Sequence, residues 1–189
     1  MESSGFNIKV FLEVWEVSPE ETFKTFNNWI SESSEETLID VADYSHVHEG
    51  PITLLVGHEA NYCIDQTDSR LGLLYSRKRL NGTPGARLQT LFRSALEACL
   101  RLEREEKLQG RVRFRGNQFL LIANDRLNTP NSEKSLDALR PELETVLGTI
   151  FDRAEFSIGR DPDGKKRLAL SVSTAEDCDV GTLLGRLNA

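Results

Sequence analysis

PGARLQTLFRSALEACLRLEREEK, residues 84–107, places Leu88, Leu91, Phe92, Ala95, Leu96, Cys99 and Leu102 along one side of a helix. Positions three and four apart share a face because the α-helical backbone turns once every 3.6 residues. Most residues between them are polar. Thr83 stands where an N-cap belongs and Pro84 where the first helical residue belongs. A long helix with a single apolar stripe needs an apolar surface to cover, and the flanking sequence reads mainly as strands.

On the N-terminal side, Asn61–Asp65 and Leu71–Ser76 read as strands about the polar turn Gln66–Arg70. Ile52–Val56 is continuously apolar, as in a strand buried on both faces. Thr37–Val41 is a short strand. Phe6–Val14 alternates, with Phe6, Ile8, Val10, Leu12 and Val14 on one face. Between these lies a helix opened by Ser18-Pro19-Glu20-Glu21, an N-cap, a first-position proline and a capping-box glutamate. Its stripe is Phe23, Phe26 and Ile30, and it ends near Ser33-Ser34.

On the C-terminal side, Arg111–Phe114 and Gln118–Ala123 predict a hairpin about Gly116-Asn117. Leu136, Leu139, Leu143, Val146 and Ile150 mark another helix, which Pro141 must kink or restart. Glu155–Gly159 and Arg167–Ser173 predict a second hairpin around Asp161-Pro162-Asp163-Gly164. Val180–Leu187 is a last short helix. The resulting order predicts a two-layer α+β fold, about three helices backing a mixed, mostly antiparallel sheet. Within it, Leu71–Gly159 follows the order of a ferredoxin-like unit. The chain has 189 residues, which suits a single domain over 1–189.

Hydrophobic residues make up 39% and charged residues 28%, the balance of a globular chain rather than a disordered one. The net charge of -7 argues against general binding to nucleic acid or to anionic membranes. No apolar run approaches the roughly 20 residues that span a bilayer. Met1-Glu2-Ser3-Ser4-Gly5 lacks the basic start of a secretory signal. Cys63, Cys99 and Cys178 are odd in number and widely spaced, as expected of reduced thiols, so a cytoplasmic location is expected.

The stretch Ile39–Lys78, IDVADYSHVHEGPITLLVGHEANYCIDQTDSRLGLLYSRK, followed by Ala123-Asn124-Asp125-Arg126-Leu127, resembles a family of uncharacterised bacterial proteins of similar length. The resemblance covers most of the chain and implies a bacterial cytoplasmic origin. It brings no reaction, ligand or functional residue with it.

All three histidines fall in that stretch: His46 and His48 as H-x-H, and His58 beyond the next apolar run. H-x-H on an extended segment points both rings to one side, and a third imidazole would complete a site for a divalent metal such as zinc. The alternative is a set of loop histidines bonded to nearby carboxylates. His58-Glu59-Ala60-Asn61-Tyr62 departs from H-E-x-x-H at Tyr62. Cys63 and Ser45 lie near the histidines, but no G-x-S-x-G elbow is present and no catalytic residue is assigned. Arg77, Lys78, Arg79, Thr83 and Arg87 flank a helix start and form a candidate site for a small anion, although Thr83 capping the helix explains the loop equally. Arg111, Arg113 and Arg115 share one strand face, as on a solvated sheet or at a docking surface for a partner or a second copy. Two function classes therefore stay open. One is a small-ligand or metal-binding protein with a site framed by His46, His48 and His58, whether or not it is an enzyme. The other is a non-enzymatic interaction or assembly module, such as a homo-oligomer joined through the Arg face.

Overall fold

A computed structural model describes residues 5–78 and 82–189. In chain order the elements are β1 (Phe6–Trp15), α1 (Pro19–Glu32), β2 (Leu38–Asp43), β3 (Pro51–Gly57), β4 (Ala60–Asp65), β5 (Gly72–Arg77), α2 (Pro84–Arg104), β6 (Val112–Ala123), α3 (Glu133–Ile150), β7 (Phe156–Arg160), β8 (Ala169–Thr174) and α4 (Val180–Asn188). Among the described residues the strands form one sheet in the order β2-β3-β4-β5-β1-β6-β8-β7. Every neighbouring pair is antiparallel. The fold is α+β, with four α-helices on one side of this sheet.

Local chemistry places the helix starts where the sequence puts them. Ser18 accepts the Glu21 N–H at 3.2 Å while the Glu21 carboxylate accepts the Ser18 N–H at 2.9 Å, closing the capping box of α1. Thr83 caps α2, and Ser132 and Asp179 cap α3 and α4. Leu88, Leu91, Phe92, Ala95, Leu96, Cys99 and Leu102 are all buried. They meet the sheet through Ile8, Val10, Leu73, Phe119 and Leu121, with Phe92 edge-on to Phe119 at 5.5 Å.

Moving outward from the β1–β6 contact, β1-β5-β4 on one side is matched by β6-β8-β7 on the other. Each half opens with a long strand and a helix, returns through antiparallel strands, and ends in a helix (α2 or α4). Those two helices pack together. This internal two-fold pattern leaves no visible repeat in the sequence.

The expected hairpin at Gly116-Asn117 is instead one continuous strand, β6. A Cβ on Gly116 would overlap the carbonyl oxygen of Cys178, so this glycine serves close backbone approach rather than a turn. The turn signal surfaces as a bulge: the register shifts between Val10↔Phe119 and Leu12↔Phe114. Without the extra strand the ferredoxin-like unit over Leu71–Gly159 does not form, and its strands β5, β6 and β7 are not neighbours of one another. Pro141 lies inside an unbroken α3. Phe23 is exposed, and Thr22, Thr25, Phe26 and Trp29 form the buried face of α1. In β3, Leu55 is fully buried but Leu54 and Val56 are only half-buried, because no helix covers their side of the sheet.

Replacing Leu96 with Ala should cost about 2–5 kcal/mol, since a fully enclosed side chain leaves a cavity that its neighbours fill only partly. Urea unfolding of the variant measures the loss as a lower midpoint at unchanged slope.

Candidate functional site

β3 runs between the histidines. His46 and His48 lie in the β2–β3 connection before Pro51, and His58 follows Gly57. Seven strand residues rising about 3.3 Å each hold the two groups roughly 20 Å apart. The H-x-H segment is a run of turns and bends, so the alternation that would align its rings is absent. His46 packs beside Tyr44 with ring centroids 6.5 Å apart, and His58 is exposed with Nδ1 3.1 Å from the Glu59 carboxylate. The expected three-histidine site is therefore not assembled. Among the described residues no group of three or more His, Cys, Asp or Glu side chains is placed to hold a metal ion.

The other sequence candidates also disperse. Lys78 donates to the Gly57 carbonyl at 2.6 Å, Thr83 accepts the Ala86 N–H, and Arg87 is half-buried on α2. Arg77 lines a separate cleft beside Tyr75, and Arg79 lies outside the described residues. Arg111 forms a bidentate pair with Glu21, whose carboxyl it holds well below its ordinary value, at about 2. Arg113 pairs with Glu13 at 3.0 Å. Two members of the Arg stripe are thus engaged within the chain.

The concave feature that the fold does build lies on the helix-free face. The central strand β1 turns Ile8 and Val10 toward the helices and Asn7, Lys9 and Phe11 to the other side, where all three are nevertheless buried. Lys9 crosses above Gly72, whose missing side chain leaves room for the lysine stem. Its Nζ donates to Asp65 Oδ1 at 2.6 Å and to the Thr67 carbonyl at 3.3 Å. Asp65 also accepts the Thr67 N–H at 3.1 Å and the Thr67 hydroxyl at 2.9 Å. A charge inside a sheet is tolerated only when paired and hydrogen-bonded in this way. Asn7 is satisfied by Asn124, which donates at 2.7 Å.

Beside this pair is a cleft of about 620 Å³, within the range of small-molecule sites. Phe11, Leu74, Leu120 and Ile122 supply apolar surface, and its rims are the turn over residues 67–70 and the β7–β8 connection. Asp68 and Ser69 both take left-handed backbone (φ 58° and 55°), a conformation that costs energy outside glycine. That turn sets Arg70 over the Phe11 ring, its guanidinium carbon 3.5 Å from the ring centroid, with Nη2 donating to Gln118 at 2.7 Å. Across the cleft, Lys166 pairs with Asp161 at 3.0 Å, and Asp68 helps hold the lysine charged. Gln66 ties the histidine connection to the same rim by donating from its side chain to the Val47 and His48 carbonyls.

A second cleft, about 590 Å³, opens between α1, α2 and β4–β5. Tyr62 donates to Glu36 at 2.5 Å there, and burial pushes both Tyr62 and Tyr75 up. Its carboxylates, Glu32, Glu35, Glu36, Glu59 and Glu97, outnumber its cations, Arg77 and Arg101.

No family model matches the chain, and no curated protein matches it in sequence.

Sequence reasoning passed over Lys9 and Arg70 as site residues. The signal for the first was present, since a lysine in mid-strand next to Val10 and Phe11 on a central strand demands a buried partner. The polar run 66–70 gave no sign that it would close over that lysine.

Lys9→Met should cost about 3–5 kcal/mol, because it strands a buried carboxylate, while Lys9→Met with Asp65→Leu should recover most of that loss. A double-mutant cycle in urea reads the difference. Burial pushes the Cys63 thiol up to about 12 and the Cys99 thiol well above its usual value. In native protein near pH 8, Ellman's reagent should therefore label half-buried Cys178 first, and Cys63 and Cys99 only on unfolding.

Proposed function

We propose that the protein binds a small organic ligand in the cleft on the helix-free face of the sheet. The observation that carries this reading is the combination of an open apolar floor with a buried, hydrogen-bonded Lys9–Asp65 pair beside it. An ordinary solvated sheet face needs neither. A few polar groups fixed within an apolar concavity are what orient a small molecule. The strained turn at Asp68–Ser69 supports the reading, since backbone held in a costly conformation clusters where a side chain must be aimed. The site uses rigid strands β1, β5 and β6 for its floor and two connections for its rims, so it can be shaped without disturbing the core.

The helix-side cleft has a lower claim. Trp29 and Tyr75, the larger part of its aromatic surface, are fully buried, and the Tyr62 hydroxyl is already taken by Glu36.

N-Phenyl-1-naphthylamine, a neutral fluorophore that brightens in apolar surroundings, tests the reading. Saturable binding at one site per chain is expected, weakened roughly tenfold or more by Leu120→Gln, which places an amide in the floor. Leu120 is half-buried, so the variant should remain folded by circular dichroism. Absence of saturable binding, or binding indifferent to Leu120→Gln, rejects the cleft.

A further inference from the structure

We infer that the ligand of this cleft is a small organic acid, its anionic head held at Arg70 and Arg167 and its apolar body lying on Leu74, Leu120 and Ile122. This rests on the reading of the cleft as a ligand site.

Four cations, Lys9, Arg70, Lys166 and Arg167, and three carboxylates, Asp65, Asp68 and Asp161, line the cleft, which leaves it net positive. Lys9 is matched by Asp65, and Lys166 is matched by Asp161 and faces Asp68. Arg70 and Arg167 also line the cleft, and neither has a carboxylate within ion-pair distance among the described residues. Arg167 has one long contact, 3.5 Å to the Asn124 side chain. In a chain of net charge -7, uncompensated positive charge is not inherited from composition. The helix-side cleft, lined by five glutamates and two arginines, has the opposite sign. A ligand anion is therefore favoured by the open cleft over the helix-side cleft.

Arg70 is also pre-set for the task. The guanidinium lies over the Phe11 ring, and Gln118 takes a single N–H from Nη2. The donors on Nε and Nη1 have no protein acceptor among the described residues, and the second N–H of Nη2 completes a fork with one of them that a carboxylate or sulfonate accepts. A guanidinium fixed by an aromatic ring and a side-chain amide loses little freedom when it binds, which favours a specific contact over a diffuse attraction. The apolar residues beside it supply the rest of the fit. An inorganic anion would leave that surface uncovered.

The experiment uses displacement of bound N-phenyl-1-naphthylamine by octanoate and by octylammonium, which have eight carbons each and opposite heads. Octanoate should displace the fluorophore at roughly tenfold lower concentration than octylammonium. The double variant Arg70→Gln/Arg167→Gln should abolish that preference, read as the ratio of the two displacement constants on the same protein, and Arg167→Gln alone, on an exposed connection, should reduce it. Equal displacement, preference for octylammonium, displacement by neither, or a preference that survives the double variant overturns the anionic assignment while leaving the cleft as a ligand site. Failure of the fluorophore itself to bind rejects the cleft and the assignment with it.

Discussion

β1 lies at the middle of the sheet, paired with β5 on one side and β6 on the other, and residues 7–11 of it are buried whichever way they point. On the helix side that burial is simple hydrophobic packing under α2. On the other side no helix is available, yet Asn7, Lys9 and Phe11 are still covered. Polar groups cannot be enclosed without partners, so the strand forces its neighbours to supply them: Asp65 and Thr67 for Lys9, Asn124 for Asn7, and Arg70 above Phe11. The cleft follows from this arrangement. The turn after β4 must fold back over the sheet to deliver these groups, and by doing so it raises one wall.

The two faces of the sheet therefore do different work. The helix side carries most of the stability, through a continuous cluster from Val41 and Leu55 at one edge to Leu170 and Val172 near the other. The helix-free side is apolar at its centre but open, with Leu54, Leu74, Leu120 and Ile122 half-exposed. Such a surface can accept a ligand without any change in the packing that holds the fold together. The internal two-fold pattern sharpens the contrast. β1 and β6 form the floor as its central pair, and the rims are the β4–β5 and β7–β8 connections, which the two-fold pattern makes equivalent.

Electrostatics add a second asymmetry. The chain as a whole is acidic, and the helix-side cleft follows that trend. The open cleft departs from it because its cations outnumber its carboxylates, and the pairs Lys9–Asp65 and Lys166–Asp161 leave Arg70 and Arg167 without an ion-pair partner among the described residues. Charge that is paired within the fold contributes to architecture, and charge that is left over remains for a ligand.

Local chemistry alone determined the helices and most strands. The stripe of α2, the capping box of α1 and the alternation of β1 are written in neighbouring residues, and the α+β class follows from their order. Other features depended on contacts between segments distant in sequence. Gly116-Asn117 has the composition of a turn, but the carbonyl of Cys178, more than sixty residues on, makes it the bulge of a single strand. The histidines are neighbours in the chain, but an extended strand between them carries them to opposite ends of β3. Lys9, the Asp65–Arg70 turn and Arg167 are far apart in sequence, and antiparallel register with the fold-back of that strained turn brings them to one cleft. Spacing along a chain predicts which side of an element a residue faces. Which elements stand beside it is decided by the pairing of the sheet.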